Sequence, residues 1–127
     1  DQLDSVKQIA VGNPETVPAG KYTEQFLTSL NKWDELQDKL ILAKDVRQVL
    51  TYVETGNADV GFVYESDAKT SNQVNILFTA DTTLHDPIVY PAAVMSDTEH
   101  EDLAKDFLRF LESDQAQDIL KSYGFNK

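Results

Sequence analysis

The sequence predicts an α/β fold, a largely parallel sheet flanked by helices, and three observations carry that prediction. Strand-like and helix-like stretches alternate along the chain. A Pro–Ala–Gly turn, Pro18-Ala19-Gly20, joins the first strand candidate to the first helix candidate. A capped amphipathic helix starts at Asp45, stops near Gly56 and leads straight into another apolar strand.

In order, Gln8-Ile9-Ala10-Val11 is the first strand, and Tyr22, Phe26, Leu27 and Leu30 recur at helical spacing from about Lys21 to Leu30. Lys32 to Leu36 suggests a second short helix. Leu40-Ile41-Leu42-Ala43 is apolar and short, which suits a buried strand. Asp45 stands three residues before Gln48, the spacing of a capping box, and Val46, Val49, Leu50 and Val53 form one stripe. Gly56 is placed to end that helix. Asp59 to Tyr64 reads as a strand, Glu65 to Ala68 as a turn into a short helix, and Val74 to Phe78 as a fifth extended segment. Polar residues from Thr79 to Pro87 mark a linker. Ile88 to Met95 resumes as a strand, and Pro91 inside it argues for an edge or a bulge. Two helical stripes close the chain, Leu103, Phe107, Phe110 and Leu111, then Ala116, Ile119 and Leu120.

The 127 residues suffice for one domain with a core and are marginal for two. A net charge of −11 without any basic cluster opposes binding to nucleic acid and to anionic membranes. Without cysteine there are no disulfides, thiolate metal sites or Cys nucleophiles. An enzyme would need a nucleophile–base pair or a metal cluster. His85 and His100 lie in polar segments without metal-ligand spacing, and Asp86 beside His85 reads as a linker pair rather than a dyad.

Three places offer hydrogen-bond donors to a ligand instead. At Val17-Pro18-Ala19-Gly20 a helix start leaves the N–H groups of Ala19 and Gly20 free to point outward, which suits an anion. The first turn after Asp45, at Val46 and Arg47, offers N–H groups again. Tyr64 stands at the carboxyl end of a strand, where open α/β sheets bind ligands, and its hydroxyl is a further donor. Each has a structural alternative: a turn, a stability cap and a half-buried core tyrosine.

Four motifs then occur in order: Gly12-Asn13-Pro14-Glu15-x-Val17-Pro18-Ala19-Gly20-x-Tyr22, Ala43 to Leu50, Gly61-Phe62-Val63-Tyr64-x-Ser66-Asp67-Ala68, and Pro87 to Val94. With the ending Ser113 to Gln117 and Tyr123-Gly124-Phe125, this pattern resembles the C-terminal part of the periplasmic molybdate-binding proteins of ABC transporters. The resemblance implies a two-lobed, type II binding-protein fold closing on molybdate or tungstate, with no cofactor. It implies that neutral donors hold the oxyanion, among them the N–H groups of Ala19 and Val46 and the hydroxyl of Tyr64. Two serine donors of the family belong to an N-terminal lobe whose motifs have no counterpart here.

The same resemblance implies that residues 1 to 84 form most of the second lobe, the oxyanion-binding wall. Residues 85 to 127 would cross back as the C-terminal segment of the first lobe. The implied partners are the oxyanion, a membrane permease, and the missing N-terminal lobe or another chain. The implied location is extracytoplasmic, in the periplasm or as a cell-surface lipoprotein. A carboxylate at Asp45 would repel a dianion, so its side chain is expected to turn back and cap its own helix. One wall alone is expected to bind weakly or not at all. A receptor of the same fold for tungstate, sulfate or another small anion is the alternative. A further one is the effector-sensing domain of a regulator, which would bring a DNA-binding segment that this sequence lacks.

Overall fold

The computed structural model describes residues 2–126, which divide into two compact units, Asp1–Pro87 and Ile88–Lys127. The first unit is built on a three-stranded parallel sheet of order β2-β1-β3, formed by β1 (Ile9–Gly12), β2 (Leu40–Ala43) and β3 (Val60–Gly61). A short helix α1 (Gln2–Ser5), which no sequence signal marks, precedes it.

The central strand explains the core. All four residues of β1 are buried, as a strand covered on both faces must be. Side chains alternate across it. Ile9 and Val11 join Phe26, Leu27 and Leu36 on the face covered by α2 (Pro18–Ser29). Ala10 joins Ala43, Val49 and Ala58 on the face covered by α3 (Val46–Glu54). Register pairs Gly12 with Ala43 and Ala10 with Gly61, so β1 and β2 end level and β3 ends two residues earlier.

Helix α2 starts at Pro18, three residues before the start expected at Lys21. Proline at the first position forfeits nothing, because that N–H has no helical partner. The preceding loop is organised by Asn13, whose N–H reaches Ala43 O at 2.8 Å and whose carbonyl accepts from Thr16 and Val17. Gly20 lets the helix descend onto the strand end: a Cβ there would collide with the Gly12 carbonyl. Asn31 (φ 57°) ends α2 in the left-handed region, with Lys32 N–H returning to Leu27 O at 2.8 Å. Gly56 (φ 72°) ends α3 in the same conformation, as the sequence predicts.

Several expected elements differ. Lys32 to Leu36 makes one turn, closed by Leu36 N–H to Lys32 O at 3.0 Å, and the helical turn is a 3₁₀ segment at Gln37–Lys39. Five residues cannot propagate a helix, and Leu36 is instead drawn into the core. The strand expected over Asp59 to Tyr64 pairs only at Val60–Gly61, continued by Phe62 N–H to Ala10 O at 3.0 Å. Val74 to Phe78 joins no ladder among the described residues; the Phe78 ring packs 6.1 Å from Phe26 and 6.2 Å from Phe62. The polar segment after it is latched to α2. Ser29 Oγ donates to Leu84 O at 3.0 Å, and Gln25 and Asp86 exchange bonds of 2.7 and 2.9 Å.

The second unit holds α5 (Glu101–Leu111) and α6 (Asp114–Ser122), the latter capped by Ser113. Ile88 to Met95 is not a strand here, since among the described residues this unit has no strand to pair with it, and Pro91 lacks an N–H. Tyr90 meets Phe125 edge-on, ring centroids 5.5 Å apart. The stripe foreseen on α5 stays open, with Leu103 68 % exposed and Phe107 59 %, whereas on α6 Ala116 is buried and Ile119 exposed.

At the amino end of the sheet, Asp59 accepts from the N–H groups of Lys7 (2.8 Å) and Gln8 (3.0 Å), and these bonds hold its carboxyl below the ordinary value.

Two outcomes follow from this packing. Gly20→Ala is expected to lower the unfolding free energy, read by urea titration, by about 1–3 kcal/mol, the range for overpacking a tight contact. An unchanged midpoint would show that α2 can lift off Gly12 freely. Asp59→Ala is expected to lower the thermal midpoint at neutral pH. A carboxyl whose pKa is depressed by folding stabilises above its unfolded value of 3.8 and ceases to as pH falls through the lowered one. The gap between the two proteins therefore closes in acid, and a gap constant into acid would refute the role of the charge.

Candidate functional site

Because the three strands are parallel, each delivers its chain to one edge of the sheet and there starts a helix. β1 feeds α2 through residues 13–17, and β2 feeds α3 through Lys44 and Asp45. β3 feeds α4 (Glu65–Ala68) through Phe62, Val63 and Tyr64. Open α/β sheets receive ligands at this edge.

The first turns differ in what they leave unpaired. At α2, Pro18 has no N–H, and Gly20 and Lys21 both donate to Val17 O, at 2.9 and 3.2 Å. Ala19 N–H has no partner among the described residues, and the residue is 5 % exposed. This corrects the expectation that Ala19 and Gly20 both point outward. The first turn is tight enough for the Gly20 N–H to reach the Val17 carbonyl, so one donor is left where two were counted.

At α3, Asp45 is the cap, its Oδ1 accepting from Gln48 N–H at 2.8 Å, while Gln48 Oε1 accepts from Lys44 N–H at 2.8 Å. That reciprocal pair consumes the third N–H of the helix. It leaves those of Val46 and Arg47 without a partner among the described residues. The Asp45 carboxylate is engaged with its own helix, as the sequence suggests.

Tyr64 is the half-buried residue that precedes α4, and its carbonyl accepts from Asp67 N–H (3.0 Å) and Ala68 N–H (3.1 Å). Sequence reading passed over Asp67, although Tyr64-x-x-Asp67 has capping-box spacing. Half-burial raises the Asp67 pKa above the ordinary carboxylate value. The Arg47 charge and a hydrogen bond from the Tyr64 main chain act against that rise. Arg47 itself is exposed.

Asp86 is tied to Gln25, and His85 Nδ1 lies 2.7 Å from Asp86 O, a main-chain contact rather than a catalytic dyad. No group of three His, Cys, Asp or Glu among the described residues could hold a metal, and no helix among them is long and apolar enough to cross a membrane. The edge offers unpaired main-chain donors at two of its three helix starts, which suits an acceptor-rich, negatively charged ligand.

Known proteins share this arrangement. Residues 2–126 match the bacterial extracellular solute-binding protein family. The ABC transporter substrate-binding lipoprotein YvgL of Bacillus subtilis is 50 % identical over 123 residues, which make up 97 % of this chain and 47 % of that protein. The molybdate-binding protein ModA of Haemophilus influenzae is 44 % identical over 93 % of this chain and 46 % of its own length. A solved substrate-binding domain from Clostridium difficile, ascribed to a molybdenum ABC transporter, is 46 % identical. It superposes with a TM-score of 0.89 over 97 % of this chain and 55 % of its own. The chain thus spans about half the length of the curated relatives it matches.

Proposed function

The chain belongs to the bacterial extracellular solute-binding proteins, a family of transport receptors rather than enzymes, and on that premise we propose that it forms one wall of a molybdate-binding cleft. The whole receptor delivers the oxyanion to the membrane permease of an ABC importer. The observation that carries this reading is the row of three helix starts on one sheet edge, with the N–H groups of Ala19 and Val46 unpaired there. Tyr64 supplies its hydroxyl as the third donor. No resident cofactor takes part; tungstate, of nearly the same size and charge, is the companion ligand.

The physics favours such a site in a chain of net charge −11. Hydrogen bonds to a charged acceptor contribute roughly 1.5–3 kcal/mol each, so oriented neutral donors suffice to hold a dianion. Release to a permease is easier when no buried ion pair must be broken.

In this reading residues 1 to 84 belong to the second lobe, and residues 85 to 127 return to complete the first. The exposed stripe around Leu103 and Phe107 is then covered by the other half of the receptor or by another chain. The protein works outside the cytoplasm, in the periplasm or anchored as a lipoprotein.

Calorimetric titration of the full-length protein with molybdate, tungstate, sulfate and phosphate tests the reading. Molybdate and tungstate are expected to bind alike and sulfate far more weakly; equal affinity for sulfate sinks the assignment. Tyr64→Phe is expected to weaken molybdate by about 10- to 100-fold, the worth of one charge-assisted hydrogen bond. The 127-residue chain alone, with one wall, is expected to show weak or undetectable binding, and full affinity in it would refute the two-wall site.

A further inference from the structure

We infer that Gln25 is a positioning residue of the proposed site. With Ser29 it straps residues 84–86 to α2, so the helix that presents the Ala19 N–H also fixes where the chain leaves the first unit. The consequence for binding rests on the oxyanion reading above; the geometry of the strap does not.

One face of α2 makes the attachment. Tyr22, Gln25 and Ser29 recur at helical spacing and share one side, while Phe26 and Leu27 go to the core. Gln25 Nε2 donates to Asp86 Oδ2 at 2.7 Å, and Gln25 Oε1 accepts from Asp86 N–H at 2.9 Å. Only one orientation of the carboxamide satisfies both, because a carboxylate cannot donate and an N–H cannot accept. One turn further along, Ser29 Oγ donates to Leu84 O at 3.0 Å. One turn back, the Tyr22 ring lies 6.1 Å from that of His85.

The strap is itself folded. Asp81 Oδ1 accepts from Thr83 N–H at 2.9 Å and from Thr83 Oγ1 at 2.8 Å, and Leu84 N–H returns to Asp81 O at 3.0 Å. Ala80 and Leu84 pack against the core cluster that holds Phe26 and Leu27. Asp86 is followed by Pro87, whose ring fixes its own φ and confines the residue before it to extended conformations. Free rotation therefore begins only at the Pro87–Ile88 step, where the first unit ends. The segment from Thr79 to Pro87, linker-like in composition, is the strap, and the pivot lies at its end. At the other end of α2, Thr23 Oγ1 donates to Ala19 O at 2.8 Å, and Gly20 rests on the Gly12 carbonyl. The helix start is thus fixed to the body of the helix. Only about 9 Å of helix separates Ala19 from Gln25, so a shift at either is carried to the other.

Amide hydrogen exchange at residue 86, followed by NMR in the full-length protein without any oxyanion, tests the strap directly. Gln25→Ala removes both bonds, and Gln25→Glu sets a carboxylate against that of Asp86. Each is expected to lower the protection of this amide about tenfold, the worth of one or two hydrogen bonds. Asp86→Asn keeps an acceptor oxygen for Gln25 and is expected to keep the protection. Combined with Gln25→Glu it supplies the donor that a carboxylate pair lacks, and protection is expected to return. An amide unprotected in the wild type, or a double variant no better than Gln25→Glu alone, overturns the inference. Molybdate titration of the same proteins adds the functional readout. Gln25→Ala and Gln25→Glu are expected to weaken binding alike, by about three- to tenfold, and the double variant to recover it. Wild-type affinity in Gln25→Ala overturns the positioning role, because a loss confined to Gln25→Glu is one of added charge. A wild type that ignores molybdate while its residue 86 amide follows the expected pattern defeats the oxyanion reading and supports the strap.

Discussion

The closeness of Gly12 to Gly20 is the constraint on which the rest of the first unit depends. With no side chain on Gly20, the first turn of α2 comes down on the carbonyl that ends β1. That descent puts the Ala19 N–H at the edge of the sheet and lets Phe26 and Leu27 reach the core beside Ile9 and Val11. A side chain at Gly12 would meet Val17 and the Gly20 nitrogen, so the contact is closed from both partners. Pro18 completes the arrangement by starting the helix where an N–H is dispensable. One glycine pair thereby sets both the packing of a core face and the position of a donor.

Charge is handled just as locally. At the carboxyl edge of the sheet of an already acidic protein, the Asp45 carboxylate is occupied by its own helix, its Oδ1 accepting from Gln48 N–H. Asp59, at the opposite edge, does for β1 what Asp45 does for α3, taking two successive N–H groups that no strand neighbour satisfies. Asp45, Asp59 and Asp81 all act as acceptors for main-chain donors. A count of net charge alone hides this.

What the sequence made legible divides along the same lines. β1, β2, α3 and the Asp45 cap were readable because their signals are local: an apolar run, a 3.6-residue stripe, a cap three residues from its glutamine. Segments whose structure depends on a distant partner were not. Val74 to Phe78 and Ile88 to Met95 have strand-like composition but no strand to pair with among the described residues, and Asp59 to Tyr64 pairs only at Val60–Gly61, two residues short of the end of β1. Of the proposed site, Ala19, Val46 and Tyr64 were nameable as candidates from the motif spacing. The loss of the Gly20 donor to Val17 O was not, because it turns on the pitch of one helical turn.

The strand order β2-β1-β3 also bears on how the chain matures. Its innermost strand is made first, and both of its neighbours are made later. The Asp59 carboxylate that holds the residues leading into β1 is 52 residues downstream of Lys7. At about 5–20 residues per second, a ribosome needs roughly 3–10 s to supply it. For that interval Ile9, Ala10 and Val11 are an apolar segment with unsatisfied main-chain groups, open to any other strand edge nearby. The residues buried most completely in the finished protein are therefore the ones most in need of protection while it is being made.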